Sequence, residues 1–244
     1  MPRKKHDLLV EAANGCDLAI DGRLSRSWFR QGALPLAPQL LGQTVVRRTS
    51  EGLIRCRIVE TESYVAPLDK GSHAYGNRRT KRTETMFQDG GKAYVYLIYG
   101  MHYCLNVVAA ELEQAEAVLI RAVEPLSPTD VAWMRIHRPI RSRKTADISN
   151  GPGKLCAALQ IDKQFDGADL VMGKELWIER GIDIPYEQIV CATRINIPYA
   201  EEYADKLWRF YIAGNPYVSV VDKQAVPLSN PARLLETFQT ESGE

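Results

Sequence analysis

Residues 92–109 read KAYVYLIYGMHYCLNVVA. Two runs of β-branched and aromatic residues flank Gly100 and Met101, so the segment reads as a β-hairpin with Tyr99 to His102 at its tip. Working outward, AVLIRAVEP (117–125) is a third strand, stopped by Pro125. Upstream, TVVRR (44–48) and LIRCRIVETES (53–63) read as two more. Tyr64 to Gly91 is rich in Gly, Arg, Thr and Asp and reads mostly as loop, a length that points to function.

Helices fall between these runs. LAPQLLG (36–42) is a short one ended by Gly42, TDVAWMRIHR (129–138) has Thr129 as its expected N-cap, and ISNGPGKLCAALQ (148–160) starts its first turn near Pro152. ADLVMG (168–173) and YAEEYADKLWRFY (199–211) are further helical candidates, and WRFYIAG (208–214) and YVSVV (217–221) close the chain as strands. Strands in runs with helices between them predict an α+β class with a mainly antiparallel sheet.

The 244 residues are 45% hydrophobic and 25% charged, the balance of a globular chain long enough for one sizeable core or two small ones. No run approaches the roughly 18 apolar residues of a membrane span, and MPRKKHDLLVEAANG does not read as a secretory signal. Both ends, 1–20 and 239–244, are expected to be loosely ordered. Cys16, Cys56, Cys104, Cys156 and Cys191 are scattered and odd in number, and no Cys-x-x-Cys pair exists. A disulfide framework and a metal site are therefore not expected, and no motif asks for a cofactor.

Net charge is +1, but nucleic-acid binding depends on local patches. Arg78, Arg79, Lys81 and Arg82 form one, and Arg135, Arg138, Arg141, Arg143 and Lys144 another. A solvated loop or helix face is the commoner fate of such runs.

Chemistry shows first in the strand from Ile54 to Glu62. Side chains alternate along a strand, so Ile54, Cys56, Ile58, Glu60 and Glu62 are predicted to share a face. An apolar face running into two carboxylates implies pairing or function, unless the strand emerges into solvent after Ile58. Asn106 and Arg121 similarly interrupt apolar strands, and a buried arginine needs a carboxylate partner. Tyr99 sits at a hairpin tip, where a ring is ill placed for a core but suited to wedge between stacked bases. GPGK (151–154) opens a helix, and its free N–H groups with Lys154 make a candidate phosphate contact, though not a Walker loop.

RIVETESY, Asp69 with Ser72-His73-Ala74, MF, YVYLIYGMHYCLNVV, AVLIRAVEP, NGPGKLCAALQID and GNPYVSVVD occur in that order. Together they resemble the alkyladenine DNA glycosylases, also called methylpurine or 3-methyladenine DNA glycosylases of the mammalian type. The resemblance runs over about residues 35–222.

It implies a single compact α+β domain spanning the chain, with a curved antiparallel sheet, flanking helices and a protruding hairpin. It also implies a monomer acting on damaged duplex DNA without a cofactor, in the cytoplasm at the nucleoid, or in the nucleus of a eukaryote. By this resemblance Glu62 activates the water that attacks the sugar C1′, and Arg121 holds that water and the carboxylate. Tyr64 covers one side of the everted base, and His73 and Tyr96 the other. Asn106 lies at the pocket floor and discriminates against guanine's exocyclic amine. Tyr99 fills the gap in the duplex, Ile195 or Ile197 closes the pocket, and Arg78, Arg82 and Lys154 contact the backbone.

The chemistry is coherent. N-glycosidic hydrolysis passes through an oxocarbenium-like sugar, and an N3- or N7-alkylated purine is already a cationic leaving group that an aromatic cage attracts. A neutral lesion such as hypoxanthine needs a proton, for which His73 or pocket water is a candidate. No lysine lies in ETESY, YVYLIYG or LIRAVEP, so hydrolysis without strand cleavage is expected. The sequence does not select among 3-methyladenine, 7-methylguanine, hypoxanthine and ethenoadenine.

One loop departs from the family: Lys81 and Thr83 stand where Pro and Asn are usual, and FQDGG replaces a proline-rich turn. Two other readings of the same residues are a non-catalytic binder of damaged DNA and a sugar hydrolase using Glu60 and Glu62 as its acid pair.

Overall fold

A computed structural model describes residues 22–228. The ends expected to be loosely ordered, 1–20 and 239–244, lie outside the described residues. Short helices α1 (Arg26–Phe29) and α2 (Ala33–Leu40) lead into strands β1 (Thr44–Thr49) and β2 (Gly52–Val65). The predicted hairpin is β3 (Ala93–Ile98) and β4 (His102–Val108), followed by β5 (Glu116–Pro125), α3 (Pro128–His137) and α4 (Pro152–Ala158). Strands β6 (Leu176–Glu179), β7 (Ile189–Ala192), β8 (Arg209–Ile212) and β9 (Val226–Pro227) complete the sheet.

The sheet is antiparallel and unclosed, in the order β3-β4-β5-β2-β8-β7-β9, with β1 joining β2 to β6. The α+β expectation therefore holds. β2 is the spine, because its 14 residues pair with β1, β5 and β8.

The predicted alternation along β2 does not survive intact. Register against β5 slips between Ile58 and Glu60 and again between Glu60 and Thr61. A bulge exchanges the two faces of everything after it. Ile54, Cys56 and Ile58 join the core before the slip, and Val59 and Val65 join it after. Thr61 Oγ and Ser63 Oγ now point at α2, donating to Ala37 O and Ala33 O, each at 2.9 Å. Glu60 and Glu62 thus leave the face of Ile54, Cys56 and Ile58 and turn to the other side.

Four other expectations need correction. α3 starts earlier than Thr129: Ser127 is the cap, its Oγ accepting from Asp130 N at 3.1 Å with Pro128 at the first helical position. ADLVMG is a turn, because Asp169 Oδ1 accepts from Val171 N and Met172 N at 2.9 Å and competes with a helix. Only Pro198–Tyr203 of the 199–211 segment is helical, as a 3₁₀ turn in which Glu201 takes a left-handed φ of 52°. YVSVV is not a strand. Ser219 N donates to Glu60 at 2.6 Å, and Val220 O accepts from Arg209 at 2.8 Å, so this backbone serves buried charge instead of a ladder.

The core packs on one face of the sheet. Val95, Leu105, Val107, Val118 and Ile120 meet residues of α2, α3 and α4 there, all within one apolar cluster. Cys56, Cys104, Cys156 and Cys191 are buried and free. α4 approaches the hairpin closely, since a Cβ on Gly153 would lie 3.0 Å from His102 Cβ.

α2 lacks a side-chain cap from Gly32. Instead the carboxylate of Glu116, at the start of β5, accepts Ala33 N–H at 2.6 Å. Burial raises the Glu116 pKa to about 6 despite that hydrogen bond. The folded protein therefore favours protonated Glu116, and this residue's contribution to stability falls as pH rises from its unfolded value through 6. Glu116→Gln, which keeps an acceptor without charge, is expected to add about 1–2 kcal/mol at pH 7.5 and little at pH 4.5. Denaturant melts of both proteins at the two pH values check this.

Candidate active site

The face of the sheet away from the core carries the predicted residues. Alternation puts Tyr94, Tyr96 and Ile98 of β3 there, with Cys104 and Asn106 of β4, Ala117, Leu119 and Arg121 of β5, and Glu62 and Tyr64 of β2. They line a cavity of about 320 Å³, the lower end of small-molecule sites. Its rim adds His73, Tyr99, His102, the segment Gly151 to Lys154, and Ile195, Asn196, Ile197 and Tyr199. All the sequence-predicted site residues except Arg78 and Arg82 thus meet in one place.

The floor is a single cross-strand row. Tyr94 pairs with Asn106, Asn106 with Leu119, Leu119 with Glu62, and Glu62 with Arg209. Directly paired residues share a face, so register alone sets an amide, an apolar side chain and a carboxylate side by side. Asn106 Nδ2 donates to Tyr94 O at 3.0 Å, which leaves its second amide hydrogen and its carbonyl oxygen uncommitted by that bond.

Glu62 has no solvent exposure as a residue yet lines the cavity. Its Oε1 accepts Ile195 N–H at 2.8 Å and faces Arg121 Nη1 at 3.2 Å; its Oε2 accepts the Tyr64 hydroxyl at 2.8 Å. Arg121 also donates through Nε to Glu60 at 3.1 Å and through Nη2 to Ser219 Oγ at 3.2 Å. Burial works against the Arg121 charge, but Glu62 and Glu60 outweigh it and hold the guanidinium firmly protonated. Each guanidinium nitrogen of Arg121 therefore has a protein partner, and the guanidinium ties Glu60 and Glu62 together.

Glu60 is a different case. Oε1 takes Arg121, Arg209 Nη1 at 3.1 Å and Ser219 Oγ at 3.0 Å, and Oε2 takes Ser219 N. It does not line the cavity, which removes the sugar-hydrolase pairing of Glu60 with Glu62. Arg209, Ser219 and Arg194 carry this architecture but went unsuggested by the sequence. Each is an ordinary residue of its segment until the fold brings Glu60 or Asp69 beside it.

The aromatic wall is built by cations behind rings. Arg194 sits 4.8 Å from the Tyr64 ring centroid, outside the cavity lining, and pairs with buried Asp69 at 2.6 and 2.8 Å. One face of Tyr64 is thus backed by a neutralised guanidinium. His73 meets Tyr96 edge to face, with centroids 4.6 Å apart. Burial foremost raises the phenol pKa of Tyr64, Tyr94 and Tyr96. Burial likewise lifts the Cys104 thiol to about 11, which leaves it no thiolate character at neutral pH.

His73 Nδ1 lies 2.9 Å from the Tyr94 hydroxyl, and Nε2 lies 3.3 Å from Arg82 Nη2. Arginine only donates, so Nε2 accepts and Nδ1 carries the proton. Burial, then Arg82, lower the His73 pKa to about 4. The imidazole is therefore neutral at pH 7.

The basic residues divide. Arg82 lies over the Tyr96 ring, 5.0 Å from its centroid, at the cavity's edge. Arg78 is exposed. Arg79 is held by Glu84 and Glu113 at 2.7 and 2.5 Å and covers Phe87. Lys154 lines the cavity, with Nζ on Asn150 Oδ1 at 2.7 Å, so the site does contain a lysine. Tyr99 is 71% exposed at the tip, with a left-handed φ of 52° that a bulky residue adopts only at a cost.

Comparison with known proteins bears on this site. A family model described as methylpurine-DNA glycosylase matches residues 27–216. A Natranaerobius thermophilus protein whose name contains the words 3-methyladenine DNA glycosylase is 50% identical over 198 residues, 81% of this chain and 99% of that protein. A Clostridium beijerinckii protein bearing the same words is 46% identical over 200 residues, 80% of this chain and 98% of its own length. The mouse DNA-3-methyladenine glycosylase is 43% identical over 221 residues, 86% of this chain and 65% of the mouse protein.

His73 is expected to titrate near pH 4 by NMR, with its resonances unchanged from pH 8 to 5.5. Arg82→Met removes the neighbouring cation and is expected to move that titration upward. A neutral buried histidine that charges below its unfolded value also withdraws stability as pH falls from about 6.5 toward 4.

Proposed function

The chain belongs to the methylpurine-DNA glycosylase family, and we propose that it hydrolyses the N-glycosidic bond of alkylated or deaminated purines everted from duplex DNA. Glu62 carries this reading: a carboxylate sealed from bulk solvent that nevertheless borders a cavity of base size.

In this reading the damaged purine enters between Tyr64 and the His73–Tyr96 pair. Extrusion costs a few kcal/mol, and less for a damaged or mispaired base. Rings backed by cations are well fixed, and an alkylated, positively charged purine is drawn to their electron-rich faces. Arg194 and Arg82 temper that attraction, but Asp69 offsets the first. Asn106 presents its remaining amide hydrogen to the base edge, where guanine's exocyclic amine would meet a donor rather than an acceptor.

Oε2 of Glu62 accepts one hydrogen bond from Tyr64 and keeps a lone pair for a water. Glu62 takes the proton of that water as its oxygen bonds to C1′, and the C1′–N electrons leave with the base. The same negative charge stabilises the oxocarbenium-like sugar. An alkylated base departs neutral. A hypoxanthine departs as an anion or draws its proton from solvent, because a neutral His73, its Nδ1–H facing Tyr94, is a poor acid. Ile195 N–H and Arg121 hold the carboxylate so that little reorganisation accompanies the reaction.

Tyr99 acts in this reading as the wedge in the minor groove, and Arg78, Arg82 and Lys154 meet the backbone. One hairpin serves one lesion, so a monomer suffices. Lys154 keeps a role as phosphate contact, and the product is an abasic site with an intact strand.

Glu62→Gln is expected to slow release of hypoxanthine or 3-methyladenine from a duplex about 10³-fold or more while binding stays within a few-fold. Wild-type release rates in the mutant sink the mechanism. Lesion binding with no release by the wild-type protein favours a non-catalytic binder. Borohydride during turnover is expected to trap no covalent protein–DNA adduct; an adduct lost in Lys154→Ala would mark a lysine nucleophile.

A further inference from the structure

Two aromatic rings stand in solvent at the cavity mouth, and the family reading uses only one. Tyr99 is 71% exposed on the β3–β4 hairpin; Tyr199 is 62% exposed on the Pro198–Tyr203 turn, and both line the cavity. They approach from different sides. The hairpin forms one edge of the sheet, whereas Tyr199 lies in the β7–β8 connection, beyond β2.

The turn that presents Tyr199 is fastened on every side. Ile197 and Ala200, its flanking apolar residues, are 5% and 0% exposed. Ile195 N–H is bound to Glu62, and Arg194 Nη2 donates to Tyr203 O at 3.0 Å. Lys70 Nζ clamps Glu201 at 2.5 Å and Glu202 at 3.0 Å. Buried neighbours and ion pairs hold the backbone still while one large, half-apolar ring is left outside. An exposed ring on an anchored turn offers a stacking face to any nucleotide.

We propose that Tyr199 is a second DNA-contacting ring, packing against the everted nucleotide at the mouth, across from Tyr99, and slowing its return to the duplex. This rests on the base-pocket reading of the cavity. Tyr99 would fill the vacated space in the stack, whereas Tyr199 would act on the nucleotide that has left it. Tyr199 carries no charge at neutral pH, so its effect falls on residence time, not on phosphate attraction.

The test is stopped-flow fluorescence of a duplex with a single hypoxanthine beside a 2-aminopurine reporter, using the full chain. Tyr199→Ser is expected to return the nucleotide about tenfold faster than wild type, while Tyr199→Phe keeps the wild-type rate. The salt dependence of binding is expected to be the same for all three proteins. A Tyr199→Ser return rate equal to wild type overturns the proposal, as does a Tyr199→Phe defect equal to that of the serine variant. If the wild-type protein gives no unstacking signal and releases no base, it is the base-pocket reading itself that fails.

Discussion

Arg121 lies between Glu60 and Glu62, and the site depends on that contact. Two carboxylates on one strand, both without solvent exposure, would be prohibitively costly alone. Arg121 and Arg209 supply two positive charges, and Ser219 and Ile195 supply hydrogen bonds. The balance is local and almost closed. One carboxylate, Glu60, is fully engaged and works as the anchor. The other, Glu62, keeps a side toward the cavity. Removing either guanidinium would leave a buried charge uncompensated, which is far worse than never having built the pair.

That network explains irregular features elsewhere. The β2 bulge is what turns Glu60 and Glu62 away from α2 while Thr61 and Ser63 turn toward it. The segment after β8 forgoes strand pairing because Ser219 and Val220 are needed as a donor and an acceptor around Glu60 and Arg209. Local regularity yields here to polar satisfaction in a buried site. The sheet consequently has two chemistries: an apolar face under the helices, and a face bearing tyrosines, an amide and an ion network.

The aromatic wall follows the same economy of charge. Cations stand at the back or edge of the rings, with Arg194 on Tyr64 and Arg82 on Tyr96. Burial, with Arg82 behind it, keeps His73 neutral, and Tyr94 receives its ring N–H. The wall is therefore a set of neutral rings facing one buried carboxylate. Such a surface suits a flat, electron-poor ligand.

By itself the sequence determined the α+β class, the hairpin with Tyr99 at its tip, and the segments that carry Glu62, Tyr64, His73, Tyr96, Asn106 and Arg121. These were legible because strand alternation and turn residues are local, and because long peculiar stretches matched a family. Tertiary structure alone decided the rest. The bulge after Ile58 slipped the parity that alternation predicted. Arg194, Arg209 and Ser219 acquired roles only when partners 125, 149 and 159 positions away came into contact. The same holds for Glu60, which looks like Glu62's equal in ETE and becomes its support. A strand's pattern records which side chains alternate, but not where pairing slips, and a charge's meaning is set by the partner that folding brings beside it.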